Sequence, residues 1–179
     1  MSAQLVTVLL VCAVIFLAGL KLGSLKFIQT TQYPLGGVQR AFCTSCIDMR
    51  FVDESNSFFQ ARYGDNAYDS YVVPGPALAL YSVSGGLFAS DFRLAWTRAL
   101  SISMLVNSSE VVTLLDHEDC GYFRASYTNK TDAELKLIQF SLSSMTANQI
   151  KTAFPSVTVE AFWMGLGTGG GEIETVTWQ

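Results

Sequence analysis

Hydrophobic positions recur along this chain with three different spacings. Residues Leu5–Leu20 (LVTVLLVCAVIFLAGL) are apolar without a charge. A spanning helix takes about 20 such residues. Leu22, Leu25, Phe27 and Ile28 carry the run past Lys21 and Lys26, whose stems can snorkel. No Lys or Arg precedes the run, and no small-x-small site follows it before a polar stretch, so it reads as an uncleaved anchor over residues 1–28 rather than a signal peptide. Residues 29–40, with Pro34, Gly36 and Gly37, read as a linker.

Beyond the linker, short apolar runs alternate with stripes of helical period. Residues 41–46, 70–73, 110–116 (EVVTLLD) and 157–164 (VTVEAFWM) predict strands. The third carries a near-continuous apolar run, VVTLL, as in a sheet covered on both faces. Helices are expected over 53–63, starting at an Asp53 cap, and over 91–106. The second places Phe92, Ala95, Trp96, Ala99, Ile102 and Val106 on one face. Thr131 with Glu134 is a capping-box pattern opening a third helix through Leu135, Ile138, Leu142 and Met145, which stops before Pro155. Strands alternating with helices predict an α/β fold with a mostly parallel central sheet flanked by helices, behind one N-terminal transmembrane helix. The Gly-rich tail, 165–179, is expected to be irregular.

Composition narrows the classes. At 179 residues the chain holds one ordinary domain, and a charged fraction of 15% with 12% aromatics excludes a disordered chain. The net charge of −4 and the absence of a basic run argue against nucleic acid as a partner. Lys21, Lys26 and Arg40 follow the apolar run, which places the C-terminal domain on the cytoplasm-like, reducing side. The sequons at Asn107 and Asn129 would matter only for a lumenal domain.

Chemistry concentrates in the cysteines and the lone histidine. Cys12 lies in the apolar run; Cys43, Cys46, His117 and Cys120 lie in the α/β region. His117 and Cys120 form an H-x-x-C pair just after the strongest strand, at the carboxyl edge where open α/β sheets place their sites. Cys46 ends another strand, so the same edge can hold it. Two thiolates and one imidazole suit zinc and leave a fourth tetrahedral position open. Cys43 and Cys46 could instead form a redox pair, or Cys43 could be a fourth ligand closing the site. Strand alternation points the two to opposite faces, which favours Cys43 as a buried apolar residue. Asp116, Glu118 and Asp119 are expected to be exposed or capping carboxylates, with Asp119 capping a helix that starts near Gly121.

Cys46-Ile47-Asp48-Met49-Arg50, a C-x-D-x-R arrangement, precedes His117-Glu118-Asp119-Cys120-Gly121 in the chain. Together they resemble the zinc signature of the β-class carbonic anhydrase superfamily, over about Phe42 to Met164. The resemblance implies that Cys46, His117 and Cys120 bind Zn²⁺, which lowers the pKa of bound water so that hydroxide attacks CO₂ to give bicarbonate. It implies that Asp48 accepts a hydrogen bond from that hydroxide and that Arg50 holds Asp48. Met49 replaces a serine common in the family. Val73-Pro74-Gly75-Pro76-Ala77 stands where an R-N-A-G-like segment is usual. The expected function is a membrane-anchored, zinc-dependent carbonic anhydrase acting on CO₂ and bicarbonate, as a homodimer or as a subunit of a larger membrane complex. The alternative is a non-catalytic, carbonic-anhydrase-like subunit of such a complex.

Overall fold

The computed structural model describes residues 41–65, 67–81, 89–166 and 172–177. All belong to the second of the two units into which the chain divides, Gly37–Gln179. The expected anchor and linker lie outside the described residues. Among the described residues no helix is long and apolar enough to cross a membrane.

The elements alternate as the pattern requires. They are β1 (Ala41–Cys46), a 3₁₀ turn (Met49–Phe51), α1 (Val52–Tyr63), β2 (Tyr68–Val73) and α2 (Pro76–Leu80). There follow α3 (Ala89–Asn107), β3 (Val111–His117), α4 (Gly121–Ser126), α5 (Asp132–Ala153), β4 (Thr158–Met164) and β5 (Ile173–Thr175). The sheet order is β2-β1-β3-β4-β5. The first four strands are mutually parallel and β5 is antiparallel to β4. Part of the tail expected to be irregular is therefore a strand, with Ile173 opposite Met164.

Alternation along the strands divides the core. Phe42, Val112, Leu114 and Trp163 face one side, where Trp96 and Leu100 of α3 and Ile150 of α5 cover them. Ala41, Cys43, Leu115, Phe162 and Met164 face the other, against Phe51 and against Phe59 of α1. Phe59 is fully buried, worth about 1.5–3 kcal/mol relative to exposure. The Trp96 indole N–H, buried with its ring, donates to Thr44 Oγ1 at 2.7 Å and pins α3 to β1.

Helix ends follow local chemistry in one case and depart from it in another. Both bonds of the capping box at Thr131 are present: Glu134 N–H donates to Thr131 Oγ1, and Thr131 N–H donates to the Glu134 carboxylate. By contrast Asp53 caps nothing. α1 begins at Val52 behind Phe51, which makes no side-chain cap bond, and Asp53 sits in the first turn, where its negative charge complements the positive end of the helix dipole. On α3 the buried side is Trp96, Leu100 and Ser103, whereas Ile102 and Val106, expected to face inward, are exposed. Trp96 sets the helix's rotation because only its side of the helix reaches the Thr44 acceptor.

Candidate metal centre

Parallel pairing brings the carboxyl ends of β1 and β3 side by side, with Ser45 beside Leu115. Cys46 is the last residue of β1 and His117 the last of β3. The two-residue turn Glu118–Asp119 then returns the chain to Cys120, ahead of α4. Asp119 makes this tight return in the left-handed region, at φ 56°, which Asp and Asn tolerate better than most residues.

The result is a compact donor set. The ligand atoms of Cys46, His117 and Cys120 all lie within 4.8 Å of one another, and all three residues are buried. The two sulfurs are 3.8 Å apart. His117 Nδ1 lies 2.7 Å from the Glu118 carbonyl oxygen, which can only accept, so Nδ1 carries the proton. Nε2 is then the free lone pair. It is buried with no hydrogen-bond partner. An orphaned buried acceptor of this kind, facing two sulfurs, is what a metal ligand looks like without its metal. Soft sulfur and imidazole fit zinc, and the described carboxylates contribute no further ligand to the group.

Electrostatics polarise the pair of thiols. The Cys120 S–H beside Cys46, helped by the Gly75 N–H 3.3 Å away, draws the Cys46 pKa down. Cys46 in turn, together with burial, pushes the Cys120 thiol up. Burial pulls the His117 imidazole down, but the adjacent Cys46 sulfur outweighs it and the net shift is upward. Metal binding must therefore displace protons held on this group.

Two further side chains face the site. Phe51 stacks on the His117 ring with centroids 4.0 Å apart. Asp48 places Oδ2 4.0 Å from His117 Nε2. Arg50 grips that carboxylate as a fork, through Nε at 3.0 Å to Oδ1 and through its terminal nitrogen at 2.6 Å to Oδ2. These bonds bring the Asp48 pKa down to about 2, so it is ionised throughout the physiological range.

The structure corrects two expectations around the ligands and bears out the one for Cys43. Asp116 is not exposed. It is buried to 1%, accepts from Ser143 Oγ at 2.9 Å and from the Ala77 N–H, and burial pushes its pKa up to about 7. Asp119 does not cap α4, whose cap residue is Cys120; it pairs with Arg50 and Arg124 instead. Cys43 lies on the opposite face from Cys46, fully buried among Phe51, Phe59 and Phe162, and is not part of the donor group. Its role as an apolar core residue follows, and burial raises its pKa.

Three contributors carried little or no signal in the sequence. Gly75 sits at φ 56° ahead of α2 and aims its N–H at Cys46. The P-G-P run announces a turn there but not its target. Gln139 of α5, buried, donates to the His117 carbonyl at 2.9 Å and accepts from the Trp163 indole at 2.6 Å. It fixes the end of β3 from outside the sheet. Phe51 covers the imidazole from the turn that follows Arg50.

No family model matches the chain. It is 24% identical over 129 residues to an uncharacterized protein of Rickettsia conorii, covering 68% of this chain and 65% of that protein. It is 23% identical over 134 residues to an uncharacterized protein of Rickettsia bellii, covering 68% of this chain and 74% of that one. The chain thus spans about two thirds of the first relative's length. Among solved structures, a tetrameric β-carbonic anhydrase of the ascomycete Sordaria macrospora superposes with a TM-score of 0.54 at 10% identity, over 80% of this chain and 83% of that one. A carbonic anhydrase of Glaciozyma antarctica gives 0.51 at 15% identity, over 93% and 95%. A β-carbonic anhydrase of Aspergillus fumigatus gives 0.51 at 10%, over 81% and 94%. The chain therefore has a β-carbonic-anhydrase-like fold.

Proposed function

We propose that this protein is a zinc-dependent carbonic anhydrase that interconverts CO₂ and bicarbonate, held at a membrane by residues 1–28. The observation that carries the reading is the convergence of Cys46, His117 and Cys120 with an ionised Asp48 beside the unpartnered His117 Nε2. Bound zinc supplies a Lewis acid that brings the acidity of water to near neutrality.

The remaining work falls to the chain's own residues. Two thiolates offset the charge of a divalent ion and His117 enters as a neutral imidazole with its tautomer fixed by the Glu118 carbonyl. Asp48, acceptor-only when ionised, orients a water proton toward itself. Arg50 occupies both of its oxygens and so keeps it from competing as a ligand. Phe51 covers one face of the His117 ring, and all three ligands are buried. The free cysteines of the described region support a reducing compartment. Exposed Ile47, Met49, Val52 and Val72, in or next to the segment that carries Cys46 and Arg50, support self-association at this edge.

One observation favours a non-catalytic subunit instead. The segment after β2, where the family shapes its substrate pocket with polar groups, is here α2, and all five of its residues, Pro76–Leu80, are buried. The experiment that separates the two readings is stopped-flow CO₂ hydration by the zinc-loaded protein, with C46S and D48N alongside. The enzyme reading expects a rate well above background, lost in C46S with its metal and reduced in D48N with its metal kept. Stoichiometric zinc without turnover would leave the scaffold reading. Extraction of the full chain from membranes by detergent and not by alkaline carbonate is the expected result for the anchor.

A further inference from the structure

Arg50 does more than hold Asp48. Its guanidinium has five N–H donors. Nε and one terminal nitrogen engage Asp48. The other terminal nitrogen donates to Asp119 Oδ2 at 3.1 Å, and the Asp119 carbonyl accepts a further bond at 3.2 Å. Asp119 lies in the turn between His117 and Cys120. Arg50 therefore ties the loop after β1 to the turn that presents the other two ligands. On its far side the Asp119 carboxylate pairs with Arg124 of α4, which also reaches Asp132 at 2.6 Å at the start of α5. Charges alternate along the whole row: Asp48, Arg50, Asp119, Arg124, Asp132.

We propose that Asp119 is a positioning residue: by fixing Arg50 from the ligand turn, it holds Asp48 beside the metal site and off the metal. This rests on the metal-site reading above and extends it to the control of the fourth ligand position. Asp48 Oδ2 is 4.0 Å from His117 Nε2, so a modest swing would carry the carboxylate into the donor group. The Arg50 side chain is half exposed, which lets it move away once one of its two anchors is cut. Asp48 and Asp119 hold the same guanidinium at once from opposite sides, Asp48 through Nε and one terminal nitrogen and the Asp119 carboxylate through the other, so each contact helps to orient the planar fork for the other. Asp119 holds a left-handed backbone, at φ 56°, which Asn also tolerates, so D119N changes the charge and leaves the turn its backbone.

The test reads coordination and not turnover. The full-length protein in detergent is loaded with Co²⁺, and thiocyanate binding is followed by the cobalt visible spectrum in wild type, D119N, D48N and D48N/D119N. D119N is expected to weaken thiocyanate binding about fivefold, the scale of one half-exposed ion pair, because Asp48 then competes for the open position. The double variant D48N/D119N is expected to bind as D48N does. R124A, which loosens Asp119 from the other side, is expected to shift affinity in the same direction by less. Wild-type thiocyanate affinity in D119N overturns the proposal. So does a loss that D48N fails to restore, or a failure of D119N to take up cobalt, since Asp119 would then serve the shape of the turn alone. A wild-type protein that binds cobalt and thiocyanate but does not hydrate CO₂ defeats the carbonic anhydrase reading and leaves this one standing.

Discussion

Two glycines flank Cys120 in space, and the structure assigns them opposite tolerances. A Cβ on Gly75 would lie 3.0 Å and 3.1 Å from ring carbons of Phe123 and 3.4 Å from Cys120 Sγ, at a backbone φ of 56°. Phe123 is fully buried and cannot swing aside. The left-handed backbone costs an Ala about 1–2 kcal/mol, and pushing a packed ring costs about 1–3 kcal/mol more. G75A is therefore expected to lose about 2–5 kcal/mol of stability. Gly121, adjacent to Cys120 in sequence, would meet nothing within 4 Å and opens α4 in ordinary helical geometry. G121A is expected to be neutral, or to stabilise by about 0.4–1 kcal/mol through a less flexible unfolded chain. Urea denaturation of both variants, zinc-loaded and metal-free, measures the difference. The loss in G75A should be larger with zinc bound, because displacing Phe123 also shifts Cys120 and the Gly75 N–H that supports Cys46. A loss below about 0.5 kcal/mol in G75A, in the range of an ordinary surface substitution, or equal effects at the two glycines, would refute the packing argument.

Other consequences follow from named contacts. Q139A strips the partner from the buried Trp163 indole and from the His117 carbonyl, so it should destabilise by about 2–4 kcal/mol in the same assay. Chelating the metal should make Cys46, whose thiol is drawn down, reactive to a thiol reagent while Cys43, buried on the other face with its thiol pushed up, stays protected until the domain unfolds; locating the modified cysteine by mass spectrometry checks this. Arg62 holds the Glu160 carboxyl below the ordinary carboxylate range. A group depressed in the folded state adds stability above its unfolded pKa and loses it as pH falls through the folded value. The advantage of wild type over E160Q should therefore be constant near neutrality and fade below about pH 4.3, the ordinary Glu value, in urea titrations at stepped pH.

Much of this was legible in the sequence because period and edge chemistry are local. The runs at 41–46 and 110–116, the latter one residue short of His117, the Thr131–Glu134 box and the Pro155 stop each mark an element without help from distant residues. The donor set was legible too, since both half-motifs fall at strand ends and parallel pairing leaves them one place to meet. What failed depended on partners far along the chain. The rotation of α3 is set by Trp96 finding Thr44 in β1, so the stripe with Ile102 and Val106 read from spacing was turned outward. Asp116 looked like a surface carboxylate until Ser143 and the Ala77 N–H enclosed it. Asp119 looked like a cap because the two arginines that claim it lie on different loops. Strand β5 was missed because three residues in a Gly-rich tail carry no period, and only β4's open edge makes them a strand.

The claim on which the rest depends is that two strand ends supply one metal site with two sulfurs and one imidazole. X-ray absorption at the zinc edge of the zinc-loaded protein tests it directly. Two sulfur neighbours at about 2.3 Å, one imidazole nitrogen at about 2.0 Å and one further light atom are expected. Four sulfurs, or a shell of oxygen and nitrogen alone, would contradict it.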